Sequence, residues 1–224
     1  FNGKAIGRRL QELKEPVCTG LFTYADDGLT LTDIRWEDAR DGCIKVYKKP
    51  EKGVPYVLGG DTAGDGSDCF TAHVLDNRTG EQVAELQQRQ SEILYARQVY
   101  CLGRYYNTAL AAIEVNFSTY PERKLEEWNY PKLYQRERFD TYANAMVKAF
   151  GWHTTTASRP QMLAELHTVM EESPEVIRSR WTLGEMIVFV YDKNRKPQAA
   201  EGQHDDLVIA AAIGVVGRGR ARNR

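Results

Sequence analysis

Carboxylate side chains occur at three places in this sequence where the neighbouring residues are apolar. Asp61 directly follows one apolar run, Glu114 lies inside another, and the pair Asp205-Asp206 opens a stretch of small apolar residues. A charged group in apolar surroundings is costly unless it is paired or binds a metal ion. A group of carboxylates favours hard cations such as Mg²⁺ or Mn²⁺, so these positions are the first candidates for chemistry.

Each acid also has a simpler structural explanation. Asp61 precedes a glycine-rich segment and would suit the start of a turn. Asp205 would suit the N-cap of a helix, with Asp206 favourable beside the helix dipole. Glu114 would need a structural salt bridge, because its neighbours in the strand are apolar. The sequence leaves these alternatives open for each residue taken alone.

The predicted elements bring the three positions together. Residues 56–60 and 110–116 are apolar runs typical of buried strands, and residues 205–216 are predicted to form a helix. Since side chains alternate along a strand, Glu114 points to the face opposite to its neighbours. Carboxylates from two strand ends and one helix start would meet at a sheet edge, where their mutual repulsion favours metal binding. Two ions about 3.5–4 Å apart would activate a water molecule for phosphodiester cleavage and stabilise the leaving oxygen.

The remaining pattern predicts a mixed α/β fold. Three short strands with tight turns between them predict an antiparallel meander, and alternating helices and strands follow it. The predicted strands cover residues 56–60, 69–75, 82–88, 110–116, 133–134 and 185–191, and the predicted helices cover 93–106, 120–128, 159–172 and 205–216.

The same pattern divides the chain into three parts. Residues 1–50, with a short helix over 6–15 and a strand over 44–47, are predicted to be an arm or linker. Residues 51–217 form the main domain. The arginine-rich residues 218–224 are predicted to be a disordered tail.

Composition narrows the function classes. The 224 residues carry a net charge of -1, so a nucleic-acid partner would need a local basic patch. The four cysteines form no CxxC pair, which argues against structural zinc and favours a reducing, cytosolic compartment. The sequence contains no apolar stretch of about 18 residues that would span a membrane, and no signal peptide. Since the chain begins at Phe1 without an initiator Met, we expect a fragment or a processed product.

Three motifs built around the acids resemble the C-terminal nuclease domain of the large terminase subunit of tailed bacteriophages. Residues 56–68 (YVLGGDTAGDGSD) are similar to the first acidic motif of that family, residues 112–116 (AIEVN) to the second, and residues 202–210 (GQHDDLVIA) to the third. Residues 130–134 and 151–155 are also similar to family landmarks. The resemblance extends from about Lys45 to Val216 and rests on the combination of motifs, since each alone is weak.

The resemblance implies an RNase H-like fold and a metal-dependent endonuclease that cuts concatemeric viral DNA during genome packaging. It implies Asp61, Glu114 and Asp206 as catalytic residues and as ligands of two Mg²⁺ or Mn²⁺ ions. Asp206 is favoured because the matching pattern places an acid just before a small, apolar helix, and Asp205 is expected as an alternative ligand or a supporting residue. His204 and Asp68 are auxiliary candidates, with solvated loop positions as their simpler explanation.

The resemblance does not include the ATPase motor that large terminases also carry. The sequence contains no G-x-x-x-x-G-K-[ST] phosphate loop. We therefore expect the nuclease part of a longer protein, acting in the cytoplasm of a bacterial host. By the resemblance, its partners are double-stranded DNA, the terminase ATPase domain, the small terminase subunit and the portal protein, with no membrane.

DNA contacts would come from basic residues outside the acidic motifs. Contacts to phosphates give salt-dependent binding that is independent of the base sequence. Each candidate has an ordinary solvated surface position as its alternative, and the tail arginines would contact either DNA or a capsid protein. The candidates are Lys132, Arg136, Arg138, Lys148 and Arg159.

Three other functions fit parts of the pattern. A Holliday-junction resolvase or another RNase H-like nuclease would use the same acids and differ in its preferred DNA substrate. A docking domain for a portal or capsid protein would bind no metal. A sugar-kinase-like ATPase shares the general fold, but the sequence offers no phosphate loop for a nucleotide.

Overall fold

The structure is a computed structural model that describes residues 1–62, 64, 68–191, 193 and 197–221, the side chains of residues 220 and 221 excepted. The helices are α1 (Gly3–Glu12), α2 (Glu92–Tyr105), α3 (Tyr120–Glu127), α4 (Ser158–Glu172), α5 (Arg180–Ile187) and α6 (Asp206–Ala221), with a 3₁₀ turn at Pro174–Val176. The strands are β1 (Cys18–Asp26), β2 (Leu31–Asp38), β3 (Ile44–Val46), β4 (Tyr56–Asp61), β5 (Phe70–Asp76), β6 (Gln82–Gln88), β7 (Leu110–Ile113), β8 (Gln135–Asp140), β9 (Ala145–Phe150), β10 (Phe189–Tyr191) and β11 (Pro197–Ala199).

A seven-stranded sheet forms the centre of the protein, in the order β2-β1-β3-β6-β5-β4-β7. Its neighbouring strands are antiparallel except β4 and β7, which run parallel. The antiparallel meander predicted from the sequence is confirmed as β4, β5 and β6. The mixed α/β fold class is confirmed as well, because helices flank this sheet.

The first fifty residues, predicted to be an arm or linker, contribute three strands to the central sheet. β1 and β2 pair as a hairpin. β3 pairs with β1 on one side and with β6 on the other. Helix α1 packs against α5. The sequence pattern missed β1 and β2. β2 is largely exposed, and its charged residues interrupt the apolar alternation, while β1 buries only two of its nine residues. Where the domain begins along the chain stays a prediction.

The strand predicted at residues 185–191 is wrong over most of its length. Helix α5 extends to Ile187, and only Phe189–Tyr191 is extended. The helix is favoured because the Ser179 hydroxyl caps it, accepting a hydrogen bond from the Thr182 N–H at 3.0 Å. Its buried residues also follow helical spacing, with Leu183 and Met186 in the core.

The C-terminal prediction also needs correction. Helix α6 continues to Ala221, so residues 218–221 are helical rather than disordered. The Arg218 guanidinium contributes to this by donating to the Asn77 carbonyl at 3.4 Å, which ties the helix to the β5–β6 turn. Residues 222–224 of the predicted tail lie outside the described residues.

Two consecutive glycines in β4 let helices approach the sheet from both faces. Residues alternate along the strand, so Gly59 faces α6 and Gly60 faces α2. A Cβ atom on Gly59 would lie 2.3 Å from the backbone N of Gly214, and one on Gly60 would lie 2.3 Å from the Tyr95 hydroxyl. Helix α6 therefore lies directly on the backbone of β4, on the face to which Asp61 also points.

The two faces of the sheet hold separate apolar clusters. The α2 face includes Leu58, Tyr95 and Leu102, and the α6 face includes Leu166 and Ile213. The four cysteines are free thiols. Within the described ranges, no helix is long and apolar enough to cross a membrane.

We expect Gly59→Ala to destabilise the fold by about 2 kcal/mol or more, because the added methyl group would meet backbone atoms that cannot rotate away. The control is Gly184→Ala in α5, where nothing lies within 4 Å of the added Cβ and alanine favours the helix. Urea unfolding followed by circular dichroism measures both variants. Equal stability of the two would contradict the close packing of α6 on β4.

Candidate metal centre

Asp61 and Glu114 lie next to each other at the ends of two parallel, neighbouring strands. Gly60 of β4 is opposite Ile113 of β7, and the Glu114 N–H donates to the Gly60 carbonyl at 2.9 Å. The two acidic side chains are within hydrogen-bonding reach of each other. Only 7% of Asp61 and 3% of Glu114 is exposed. The structure therefore brings together the two acids that the sequence placed on strands.

Glu114 lies one residue beyond β7, and not inside the strand as the sequence pattern predicted. β7 ends at Ile113, and the chain then pairs with Trp152. The Trp152 N–H donates to the Ile113 carbonyl at 2.7 Å, and the Val115 N–H donates to the Trp152 carbonyl at 2.9 Å. The Glu114 backbone is thus held between β4 on one side and Trp152 on the other.

Burial and crowding make this acid pair electrostatically costly. Burial raises the pKa of Asp61 well above its ordinary value, and the adjacent Glu114 charge raises it further. Asp206 and Asp205 act in the same direction. A hydrogen bond between two carboxyl groups needs a proton on one of them, so without a cation the pair favours a shared proton. A divalent cation would remove that requirement.

Asp206 begins α6 on the same face of the sheet. Its Oδ2 accepts a hydrogen bond from the Cys69 backbone N–H at 2.8 Å, and its carbonyl accepts one from the Thr71 hydroxyl at 2.9 Å. Thr71 is also the residue of β5 that pairs with Asp61 of β4. Burial raises the pKa of Asp206 as well. The third predicted acid is therefore oriented by the same strand that borders Asp61.

Asp205 has a different partner from Asp206. Its Oδ2 accepts a hydrogen bond from Arg159 Nη2 at 2.8 Å. The helix cap that Asp205 would have supplied comes instead from Glu185 of α5, whose Oε2 accepts the N–H groups of Leu207 at 2.9 Å and Val208 at 3.1 Å. Burial is the main cause that raises the pKa of Glu185 to about 8. Sequence reasoning missed Glu185, because no local pattern connects it to the start of α6.

A second group of possible ligands surrounds the Asp206 carboxylate. His204 Nδ1 lies 3.4 Å from Asp68 Oδ1 and 3.9 Å from Asp206 Oδ2. One ligand atom from each of the three residues lies within 4.8 Å of the others. The two auxiliary candidates from the sequence are thus next to Asp206, while Asp61 and Glu114 form a separate pair in the same cleft.

These acids line an open cleft of about 1170 Å³. Arg159 is the one lysine or arginine among the described residues that line it. A surface of this charge repels anions unless cations bind to it first. The carboxylates that border the cleft belong to Asp61, Asp68, Glu114, Asp205 and Asp206.

The predicted DNA-contacting residues fall in two places. Arg159 is on the cleft wall, in the first turn of α4. Arg136 and Arg138 are on β8 and Lys148 is on β9, which form a two-stranded sheet apart from the central one. Lys132 is exposed shortly before this hairpin. Four of the five cations are therefore on or near the hairpin, outside the lining of the cleft.

No protein-family model and no curated protein sequence matches this chain. Solved structures do match it. The large terminase nuclease of the thermophilic phage G20c superposes with a TM-score of 0.62 at 15% identity, covering 95% of this chain and 97% of that one. The same nuclease with bound magnesium gives 0.62 at 14% identity, covering 94% and 96%. The large terminase nuclease domain of Thermus phage P74-26 gives 0.57 at 16% identity, covering 93% of each chain.

The similarity to these structures covers nearly the whole length of both chains. The G20c nuclease has also been solved with bound cobalt and with bound zinc. The superpositions confirm the RNase H-like fold that the three acidic motifs implied. This chain therefore has the fold of the nuclease domain of phage large terminases.

Proposed function

We propose that the protein is a metal-dependent nuclease that hydrolyses phosphodiester bonds of double-stranded DNA. The observation that carries this proposal is the convergence of five carboxylates in one cleft, from the ends of two parallel strands, the start of a helix and the residues just before β5. Solved structures similar to this chain include large terminase nucleases, one of them with bound magnesium. The fold and the donor set support the same activity.

The donor set fits two hard divalent cations. Asp61 and Glu114 offer the carboxylate oxygens of one pair in the cleft, and Asp206 and Asp68 offer those of the neighbouring group. Mg²⁺ and Mn²⁺ prefer such oxygen ligands, and the imidazole of His204 would also suit cobalt or zinc. With two ions about 3.5–4 Å apart, the centre would activate a water molecule and stabilise the leaving oxygen.

The chain's own residues would hold and orient this centre. Asp61, Glu114 and Asp206 are the proposed catalytic ligands, and the Cys69 N–H fixes the Asp206 carboxylate. We assign Asp205 to a supporting role, because its carboxylate holds Arg159 at the cleft wall. From there the guanidinium would contact a DNA phosphate, since arginine pairs readily with such anions.

The same likeness supports a role in the genome packaging of a tailed phage. The nuclease would cut concatemeric viral DNA in the cytoplasm of a bacterial host. The sequence contains no phosphate loop, so the ATPase motor would come from another domain, with the small terminase subunit and the portal protein as further partners. We place the start of the nuclease unit before residue 51, because β1, β2 and β3 belong to its sheet.

Asp61→Asn and Glu114→Gln are each expected to lower the rate of plasmid nicking by about a hundredfold or more. Each change removes one negative charge from the metal centre and leaves the size of the side chain nearly unchanged. The measurement is the conversion of supercoiled plasmid to the nicked form in the presence of Mg²⁺ or Mn²⁺.

The matched control for these variants is Glu37→Gln on β2, an exposed residue outside the cleft lining. It is expected to nick at the wild-type rate. If Asp61→Asn also nicks at that rate in Mn²⁺, the site assignment is wrong. Calorimetric titration of the wild-type protein with Mn²⁺ adds an independent check, since a non-catalytic docking domain would take up no metal.

In the metal-free protein, the contribution of Asp61 to stability is expected to fall as the pH rises above about 4. Burial and Glu114 raise the folded-state pKa of Asp61 above its ordinary 3.8, so the folded protein keeps a proton that the unfolded chain has lost. The stabilising contribution of this proton is complete below the unfolded pKa and disappears as the pH rises through the folded pKa. Thermal melts in EDTA measure this effect.

Asp61→Asn removes the titrating group and supplies the control for this pH dependence. We expect its melting temperature to exceed that of the wild type by about 3 °C or more at neutral pH, with a smaller difference near pH 4. Added Mn²⁺ should raise the melting temperature of the wild type and not that of the variant. Parallel pH curves for the two proteins would contradict the raised pKa.

The double variant Arg138→Gln and Lys148→Gln is expected to weaken DNA binding and its salt dependence. Each lost phosphate contact lowers the slope of log K against log salt by about 0.9. Fluorescence anisotropy of a labelled duplex measures the slope. The control is the exposed pair Lys4→Gln and Arg35→Gln, which removes the same charge away from the hairpin. Equal slopes for the two double variants would count against the hairpin as a DNA contact.

A further inference from the structure

We propose that Glu185 is a positioning residue for the metal centre, which it serves by capping helix α6 and thereby fixing Asp206. This inference rests on the proposed function, because it concerns the same centre. Glu185 does not line the cleft, so its effect would be transmitted through the backbone of α6.

The first turn of α6 depends on a residue from another helix. The first N–H groups of a helix have no partner inside the helix and need an external acceptor. The nearest local acceptor, the Asp205 carboxylate, binds Arg159. Glu185 Oε2 takes over this function, accepting the N–H of Leu207 at 2.9 Å and that of Val208 at 3.1 Å. A single carboxylate oxygen thus holds the two residues that directly follow Asp206.

The opposite side of the same turn is held by a buried histidine. His73 Nε2 lies 3.1 Å from the Leu207 carbonyl, and its Nδ1 lies 2.7 Å from Gln82 Nε2. Since the amide nitrogen of Gln82 is a donor, His73 accepts at Nδ1 and donates from Nε2 to the carbonyl. Leu207 is therefore fixed at its N–H by Glu185 and at its carbonyl by His73.

The two contacts on Leu207 share one anchor in the core. The side-chain amide oxygen of Gln82 (Oε1) accepts hydrogen bonds from the backbone N–H groups of Arg178 at 2.7 Å and Ser179 at 2.9 Å, where α5 begins. Gln82 thus fixes the start of the helix that carries Glu185 and, through His73, the start of α6. This arrangement ties the two helices to the sheet at a common point, which leaves Asp206 little freedom to move.

The use of a glutamate as the cap is informative. Serine, threonine, asparagine and aspartate are the usual helix caps, and they act from the position just before the helix. Glu185 instead acts from α5, a separate helix that packs against α6. A cap from this direction fixes the start of α6 relative to α5, which a local cap would not do. Such an arrangement is explained if the position of Asp206 is what must be fixed.

The test compares three substitutions at one position. Glu185→Gln keeps an oxygen that accepts both N–H groups and removes the ionisable group. Glu185→Asp keeps the ionisable group but is one methylene group too short to reach them. Glu185→Ala removes both. Supporting groups of metal ligands affect metal affinity by about 10–100-fold, so Glu185→Asp and Glu185→Ala should weaken Mn²⁺ binding and lower kcat for nicking by that factor. Glu185→Gln should stay within about threefold of the wild type.

The control for general loss of stability is Ser91→Ala, which removes the cap of α2, away from the cleft. It should lower the melting temperature without changing Mn²⁺ affinity. Wild-type affinity in Glu185→Asp would overturn the proposal, as would a loss in Glu185→Gln equal to that in Glu185→Asp. If the wild type binds Mn²⁺ but does not nick DNA, the proposed function fails, and the affinity series still decides the role of Glu185.

Discussion

The contact of helix α6 with the backbone of β4 sets the geometry on which the metal centre depends. At Gly59 there is no side chain between helix and strand, and a Cβ there would lie 2.5 Å from the Ala210 carbonyl. One helical turn from Ala210 back to Asp206 spans about 6 Å, and two strand residues from Gly59 to Asp61 span about 6.6 Å. The start of α6 and the end of β4 therefore lie at nearly the same position along the direction of the strand. This places their acids around one cleft.

Such a concentration of carboxylates is tolerated because backbone N–H groups surround it. The N–H of Cys69 donates to Asp206, and those of Leu207 and Val208 donate to Glu185. The positive end of the α6 dipole acts in the same direction. These donors offset part of the repulsion, but burial and the adjacent Glu114 charge still raise the pKa of Asp61 well above its ordinary value. The remaining repulsion is the free energy that a bound cation would relieve.

Local sequence patterns predicted the acids of the site but not the residues that hold them. Asp61 and Glu114 were recognisable because a carboxylate in an apolar run is costly, and the cost is visible without knowing the partner. Glu185 carried no such signal, because its partners are more than twenty positions away along the chain. The ion pair between Arg159 and Asp205 was hidden for the same reason.

For the fold, too, sequence patterns predicted the buried strands and missed the exposed elements. β4 is a continuous run of apolar and glycine residues up to Asp61, and β6 carries Val83, Ala84 and Leu86 among polar residues, so the meander was correctly predicted. β8 and β9 form a hairpin that is mostly exposed, so no apolar alternation marks them. One face of α5 is likewise exposed, so its helical spacing was not recognised, and its last residues were predicted as part of a strand over 185–191. Sequence patterns thus revealed what is buried against the core, and the exposed elements required tertiary structure.

The charges of the cleft also determine the order in which its ligands can bind. Among the described residues that line the cleft, five side-chain carboxylates and the guanidinium of Arg159 leave an excess of four negative charges at full ionisation, which two divalent ions would match. Under the proposed function, the described carboxylates would repel the phosphates of DNA before the ions bind, and cations such as Arg138 and Lys148 on the hairpin would attract them. DNA would then first be held outside the acidic cleft and would enter it once metal has neutralised the site. The acidity of the cleft would thus oppose binding of DNA at the metal centre until the ions that cleavage requires are bound.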